Sequence, residues 1–241
     1  MTTLQALIFD VDGTLADTER DGHRIAFNLA FTDAGLDWHW DEALYGELLA
    51  VTGGKERIRF FVERHQPEFA RRPDFDSLVK SLHATKTAHY VRLVERGALP
   101  LRPGVMPLIE EARAAGMRLA IATTTSPENV AVLLRASMAP EALAWFEVIG
   151  AGDIVPAKKP APDIYLWVLE QLGLPAEACL ALEDSPNGLK SSLAAAIPTL
   201  VTESEYTQGQ DFTGALAVLP DLSRTRLADL QAMFEQNLSS T

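Results

Sequence analysis

Two aspartates, Asp10 and Asp12, follow the first short apolar run of the chain, Ala6–Phe9. A run of this length, ended by a carboxylate and by the turn residues Gly13 and Thr14, is typical of a buried strand. Alternate side chains share one face of an extended strand, so both carboxylates would lie on the same side. Two such charges repel each other unless a cation or a proton lies between them. Oxygen ligands without a neighbouring His or Cys favour Mg²⁺, although the pair could also be no more than a polar turn.

A second apolar run ends in hydroxyl residues, in the segment IATTTS at Ile121–Ser126. Pro127 then indicates the start of a helix. Backbone N–H groups and a hydroxyl at a helix N-terminus form an anion-binding site. On this segment alone, an ordinary polar cap of the helix is the better explanation.

A lysine and a second acidic pair follow further along the chain. Lys159 lies in AKKPAPDIY, where Pro160 restricts it to an extended backbone. A rigidly presented lysine suits the neutralisation of phosphate charge, although a solvated basic loop would look similar. Another apolar run ends in Glu183 and Asp184, just before Pro186 begins a helix. These acids could merely cap that helix, but two strand ends with two acids each can also build an Mg²⁺ site for phosphoryl transfer.

Apolar periodicity predicts the elements that position these segments. Residues 17–96 show helical spacing without a strand, and a hinge over residues 95–104 follows. From residue 99 onward strands and helices alternate, which indicates a mainly parallel, doubly wound sheet. The predicted strands are 6–9, 118–122, 147–150, 179–182, 199–201 and 217–219. We therefore expect an α/β Rossmann-like core domain from residues 1–17 and 97–241, with an inserted all-α cap domain at 18–96.

Composition limits the class of protein. The net charge of −12 over 241 residues argues against nucleic acid or an anionic membrane as a partner, so a phosphate site would need a local cluster of Lys and Arg. Cys179 is the only cysteine, which excludes an internal disulfide. Neither a secretory signal nor a membrane span is visible. We expect a cytoplasmic monomer.

The segment DVDGT after an N-terminal strand resembles the first motif of the haloacid dehalogenase superfamily of phosphoryl-transfer enzymes, and the later segments match its other three motifs. The resemblance implies that Asp10 attacks phosphorus to form an aspartyl-phosphate, and that Asp12 is the acid and base. The transferring phosphate would be held by Thr123, the backbone N–H of Thr124, and Lys159. Mg²⁺ would be held by Asp10, the backbone carbonyl of Asp12, and Asp184, with Glu183 acting directly or through water.

The helical segment resembles the cap of the β-phosphoglucomutase-like branch. More closely, DGTLADTERDGHR, DWHW, TGGKERI and KKPAPDIY together resemble Calvin-cycle-associated phosphatases that act on xylulose 1,5-bisphosphate. The resemblance places Glu19, His23 and Lys86 near the sugar, with His23 one position further from Asp10 than its mutase counterpart. Trp38 and Trp40 could line the cleft, but core packing explains them better. No functional motif is visible beyond Pro198.

The segment TGGKERI is distinctive in its own right. Gly53 and Gly54 would let the backbone approach a ligand, with Lys55 and Arg57 beside them. We expect Lys55, Arg57 and Lys86 to bind a second phosphate, far from the one that is cleaved. The alternative is a helix C-cap followed by an exposed charged helix face.

Three functions are compatible with these residues. The first is an Mg²⁺-dependent phosphatase that removes the C1 phosphate of xylulose 1,5-bisphosphate through an aspartyl-phosphate. The second is a phosphomutase of the β-phosphoglucomutase type with the same nucleophile. The third is a binding protein that kept the fold and lost the chemistry. Such a protein would be expected to lack one of Asp10, Asp12, Lys159 or Asp184, and all four are present.

Overall fold

Six short strands form one parallel sheet in the order β3-β2-β1-β4-β5-β6. They are β1 (Ala6–Phe9), β2 (Arg118–Ala122), β3 (Val148–Gly150), β4 (Cys179–Glu183), β5 (Thr199–Thr202) and β6 (Ala217–Leu219). This computed structural model describes residues 3–97 and 99–239, so Ala98 in the predicted hinge and both ends of the chain lie outside it. All five pairs of neighbouring strands are parallel, which confirms the predicted α/β fold.

Strand β1 lies where the strand order changes direction, with β2 on one side and β4 on the other. Its residues are fully buried, because helices cover both faces of the sheet. Leu7 and Phe9 pack into one apolar cluster, and Ala6 and Ile8 pack into the other. Open α/β sheets bind ligands beyond the carboxyl ends of the strands at such a reversal. The chain therefore leaves β1 at the position where a site is expected.

The helices fall into two groups along the chain. The first group is α1 (Ile25–Asp33), α2 (Glu42–Leu48), α3 (Gly54–His65), α4 (Pro67–Ala70) and α5 (Phe75–Glu95). The second group, which alternates with the strands, is α6 (Val105–Ala114), α7 (Pro127–Ser137), α8 (Asp163–Leu172), α9 (Pro186–Ala194) and α10 (Leu227–Ser239). The sequence pattern missed the single turn α4 and left open whether α5 is continuous, which it is. Within the described residues, no helix combines the length and the apolar character needed to cross a membrane.

An aromatic cluster packs the centre of the first group of helices. Phe27 and Phe31 of α1 lie against Trp40, with ring centroids 4.6 and 4.9 Å apart, and Trp38 lies 5.5 Å from Phe31. Both tryptophans are buried. They therefore serve core packing.

A π-helix, Glu19–Arg24, leads into α1. Its hydrogen bonds span five residues instead of four, so one turn holds more residues than an α-helical turn. The sequence predicts only ordinary helix here, because the polar segment ERDGHR has no apolar spacing that would reveal a wider turn. Gly22 and His23 are its buried residues.

Arg102, just before α6, joins three loops at the edge of the sheet. It donates to the carbonyl of Gly13, to that of Thr202 at 3.1 Å, to that of Glu203 at 2.6 Å and to that of Pro220 at 3.0 Å. The side chain is buried, so these bonds are protected from water. The planar guanidinium, with its five donors, is the side chain that can satisfy so many acceptors at once.

We predict that Arg102→Met lowers the free energy of unfolding by about 3 kcal/mol, because several buried carbonyls lose their donor. Urea denaturation followed by circular dichroism measures the change. Arg135→Met, at an exposed position of α7, is the matched control and should change stability by less than about 0.5 kcal/mol. Equal stability of the two variants would contradict the role given to Arg102.

Candidate active site

The ammonium of Lys159 connects the carboxyl ends of three neighbouring strands. It donates to Oδ1 of Asp10 after β1 at 2.7 Å, to the carbonyl of Ala122 in β2 at 2.8 Å, and to Oε1 of Glu183 in β4 at 2.6 Å. Lys159 is only 5% exposed. The structure thus brings together residues of all four motifs at one sheet edge.

Burial and charge shift the proton affinities of these groups. Burial raises the pKa of Asp10 to about 8, and Lys159 offsets only part of the rise. Burial also raises the pKa of Asp184 well above its ordinary value, and the charges of Asp10 and Glu183 add to the rise. For Lys159, burial acts to lower the pKa, but the carboxylates of Asp10 and Glu183 outweigh it and raise the pKa. The single positive charge of Lys159 does not neutralise the three buried carboxyl groups of Asp10, Glu183 and Asp184.

Asp10, Glu183 and Asp184 can each offer one carboxylate oxygen within 4.8 Å of the other two. Gly13, with a φ of +84°, lies so close to Asp184 that a Cβ there would overlap the carboxylate. The set therefore contains hard oxygen donors with excess negative charge and no nitrogen or sulfur ligand, and it fits a divalent cation such as Mg²⁺. The predicted contribution of the Asp12 backbone carbonyl stays a prediction.

The carboxylate of Asp12 makes different contacts from that of Asp10. Its Oδ1 accepts from the hydroxyl of Thr18 at 2.5 Å and lies 2.9 Å from Nε2 of His23. Burial acts to raise the pKa of Asp12, but the contacts with His23 and Thr18 outweigh it and hold the pKa below its ordinary value. The two aspartates of the first motif thus have opposite pKa shifts.

His23 and Lys86 lie behind Asp12. Nδ1 of His23 is 2.9 Å from the ammonium of Lys86, and the imidazole stacks on Tyr90 with ring centroids 4.2 Å apart. Burial lowers the pKa of Lys86 to about 8. His23 lies within the π-helix, and its Nε2 is 2.9 Å from the carboxylate of Asp12.

The hydroxyl segment after β2 divides into two parts. Ser126 caps α7, because its side chain accepts from the N–H of Asn129. The polar-cap explanation therefore applies to Ser126. Thr123 and Thr124 face the same cavity as Asp10.

A cavity of about 440 Å³ lies between the carboxyl ends of the strands and the first group of helices. The predicted site residues that line it are Asp10, Asp12, Glu19, Arg57, Thr123, Thr124, Lys159 and Asp184. The other predicted residues, His23, Gly53, Gly54, Lys55, Lys86 and Glu183, are not among the described residues of its lining. The sheet edge and the first group of helices thus both contribute polar groups to the same cavity.

Tyr45 of α2 is a residue that the sequence analysis missed. Its hydroxyl donates to Oε2 of Glu19 and accepts from Nη1 of Arg57 at 2.7 Å. The guanidinium carbon of Arg57 lies 5.1 Å from the centre of the tyrosine ring. Tyr45 fits the apolar spacing of its helix, so the sequence shows no sign of its polar contacts.

Lys55 lies outside this cluster although it is only two residues before Arg57. Its ammonium pairs with the carboxylate of Asp153, which also accepts from Lys158 at 2.8 Å. Gly53, with a φ of +98°, is the N-cap residue of α3, whereas Leu49 is the C-cap residue of α2, so the glycines do not form the helix C-cap of the alternative. The helix therefore presents Arg57 to the cavity and Lys55 to the loop that contains Asp153.

The loop after β5 is a second part of the site that the sequence analysis did not find. Ser204, Glu205, Tyr206, Thr207 and Gln210 line the cavity, although no motif was visible beyond Pro198. Glu205 accepts from Arg20 at 2.6 Å. The loop contains no spaced pattern, and only the packing of β5 beside β4 brings it to the site.

Comparison with known proteins gives a consistent set of similarities. The model of the haloacid dehalogenase-like hydrolase family matches residues 4–196. The CbbY protein encoded on a plasmid of Cupriavidus necator is 52% identical over 219 residues, which cover 91% of this chain and 86% of that protein.

Solved structures show the same relationship. A CbbY variant from Rhodobacter sphaeroides in complex with xylulose-(1,5)bisphosphate superposes with a TM-score of 0.88 at 44% identity, covering 95% of this chain and 99% of that one. A β-phosphoglucomutase from Clostridium difficile has a TM-score of 0.80 at 17% identity, with 98% and 99% of the two chains covered, which shows a shared fold.

The geometry around Glu183 gives a prediction. A Cβ at Gly188, in the first turns of α9, would overlap the carboxylate of Glu183. Gly188→Ala should therefore displace that carboxylate and lower the free energy of unfolding by about 1–3 kcal/mol, as overpacking does. Lys190→Ala, exposed on the same helix, is the control, and urea denaturation compares the two. A Gly188→Ala protein as stable as the control would show that this close contact is absent.

Proposed function

The chain belongs to the haloacid dehalogenase-like hydrolase family and is a phosphatase, and from this premise we propose that it hydrolyses a phosphate ester of a small phosphorylated sugar. We propose xylulose 1,5-bisphosphate as the substrate, with loss of its C1 phosphate. The observation that carries the proposal is the single cavity that contains both Asp10 and Lys159 at the sheet edge and Arg57 of the helical group. One end would hold the phosphate that is cleaved, and the other a second anionic group.

In the proposed reaction an oxygen of Asp10 attacks phosphorus, the phosphate ester bond breaks, and an aspartyl-phosphate forms. Asp12 gives a proton to the leaving sugar oxygen. It then takes a proton from the water that attacks the aspartyl-phosphate, which releases phosphate and restores Asp10. The contacts of its carboxylate with Thr18 and His23 fix the position of Asp12 beside the cavity.

Three groups would stabilise the phosphoryl oxygens during transfer. Lys159 lies 2.7 Å from Asp10 and supplies a fixed positive charge. The hydroxyl of Thr123 and the backbone N–H of Thr124 would donate hydrogen bonds to the same oxygens, since both residues line the cavity beside α7. Asp10, Asp184 and Glu183, with the Asp12 carbonyl, would hold Mg²⁺, which supplies charge neutralisation when bound.

Arg57 is the cation that we assign to a second phosphate. It is 7% exposed, lines the cavity, and is held by Tyr45 and Glu19. The complex of the Rhodobacter sphaeroides CbbY variant with xylulose-(1,5)bisphosphate supports a substrate with two phosphates. The predicted roles of Lys55, Lys86 and His23 in substrate binding stay predictions. Lys55 is paired with Asp153 outside the cavity. His23 contacts Asp12, which lines the cavity, and Lys86 contacts His23.

We also propose that residues 18–96 act as a cap over the core formed by 1–17 and 97–241. Two contacts across the cavity support this division. Arg20 donates to Glu205, and the side-chain amide of Asn187 donates to the hydroxyl of Thr52 at 3.1 Å. A closed cap would exclude water until the sugar has left. The expected cytoplasmic location and monomeric state stay predictions.

The experiment that tests the function is release of inorganic phosphate from a panel of sugar mono- and bisphosphates that includes xylulose 1,5-bisphosphate. Turnover should require Mg²⁺, stop in excess chelator and return when Mg²⁺ is restored. We predict that Asp10→Asn abolishes turnover with an unchanged circular dichroism spectrum, because the amide keeps the shape but is a very poor nucleophile.

Several results would contradict the proposal. Substantial activity of Asp10→Asn, or full activity in excess chelator, would place the chemistry elsewhere. Conversion of a sugar monophosphate to its isomer without release of phosphate would favour the phosphomutase alternative.

A second prediction concerns substrate choice. Arg57→Met should lower kcat/KM for a pentulose bisphosphate roughly ten- to hundredfold, equivalent to about 1.5–3 kcal/mol, and should spare the monophosphate. Arg57→Lys keeps the positive charge but loses the planar guanidinium. Its kcat/KM for the bisphosphate should therefore lie between that of the unchanged protein and that of Arg57→Met.

Lys55→Met is the matched comparison, since it removes a charge from the same helix outside the cavity. Equal losses on both substrates for Arg57→Met would indicate a structural role only. A loss restricted to the bisphosphate in Lys55→Met would support the sequence prediction that Lys55 binds the second phosphate.

A further inference from the structure

Tyr165 of α8 extends its hydroxyl into the acidic cluster. The side chain is 0% exposed, and the hydroxyl donates to Oε1 of Glu183 at 2.6 Å. Its ring packs in the apolar cluster on that face of the sheet, together with Ile8 and Val168.

Both oxygens of Glu183 are fixed by their neighbours. Oε1 accepts from Tyr165 and also from Lys159, whose ammonium lies 2.6 Å away. Oε2 accepts from the backbone N–H of Asp184 at 3.3 Å. On its other side it lies against Gly188, where a Cβ would overlap it. Because the carboxylate is fully buried, these contacts set the orientation of its plane.

The ammonium of Lys159 donates hydrogen bonds to two carboxylates. Besides Glu183, it donates to Asp10 at 2.7 Å. Without the tyrosine hydroxyl, Oε1 of Glu183 would depend on this ammonium alone and would compete with Asp10 for it. The hydroxyl gives Glu183 a donor that adds no charge, and the ammonium also lies 5.1 Å from the centre of the Tyr165 ring. Tyr165 thus contacts both partners of the pair.

We propose that Tyr165 is a positioning residue, whose hydroxyl orients Glu183 toward a divalent cation and keeps Lys159 between Glu183 and Asp10. This inference rests on the proposed function, because it takes the acidic cluster to hold that cation. If Tyr165 only filled the core, phenylalanine would replace it without effect on the site. Hydrogen-bond partners of metal ligands usually change metal affinity by ten- to hundredfold when they are lost.

The test is Tyr165→Phe, which removes the hydroxyl and keeps the ring. Mg²⁺ is titrated into the full-length protein, and the Mg²⁺-dependent rise of the unfolding temperature gives its Kd. We expect this Kd to increase about tenfold or more. Tyr90→Phe is the matched control, because Tyr90 is equally buried and its hydroxyl has no hydrogen-bond partner among the described residues. The control should have the Kd of the unchanged protein.

A kinetic measurement separates positioning from a general loss of stability. The phosphatase activity of Tyr165→Phe should need more Mg²⁺, and saturating Mg²⁺ should restore most of kcat. An unchanged Kd for Mg²⁺, or a loss of kcat that Mg²⁺ does not restore, would overturn the role of Tyr165 while leaving the proposed function intact. Absence of Mg²⁺ binding by the unchanged protein would overturn the cation assignment on which both depend.

Discussion

The ammonium of Lys159, buried between Asp10 and Glu183, is the contact on which the geometry of the site depends. The register of the sheet creates the need for it. Phe9 pairs with Leu182, so the next residues, Asp10 and Glu183, are brought side by side as two acids. Like charges in a buried place repel strongly, and a lysine held at hydrogen-bond distance from both is one way to keep them there. A slip of one residue in this pairing would turn one acid to the opposite face.

Every cation that lines the cavity is held by a carboxylate of the same protein. Lys159 is held by Asp10, Arg57 by Glu19, and Arg20 by Glu205. A chain with a net charge of −12 repels anions at long range, so attraction has to come from such local groups. Because each is already oriented, little reorganisation is needed when a phosphorylated molecule enters.

The sequence alone was enough to predict the sheet, the order of its strands along the chain and the residues at the strand ends. These depend on short-range signals: an apolar run followed by Asp10, or a Pro160 that fixes Lys159. Contacts between distant segments were not predictable in this way. Tyr45 looks like an ordinary core position, and the loop containing Glu205 has no pattern of its own. Lys55 and Arg57 look alike in the sequence, and only the rotation of α3 about its axis separates the residue that faces the cavity from the one that does not.

The π-helix at Glu19–Arg24 shows how such a protein can tolerate a change in chain length. An additional residue in an α-helix rotates everything after it by about 100°, which would turn the buried face of α1 toward water. One wide turn can absorb such a residue locally, so that the helix after it keeps its orientation, as Phe27 and Phe31 require for their places in the aromatic cluster. An insertion beside a catalytic loop can thus persist through evolution without a compensating deletion. After such a turn, the angular position of a residue around the helix axis, and not its count along the chain, decides which face it occupies.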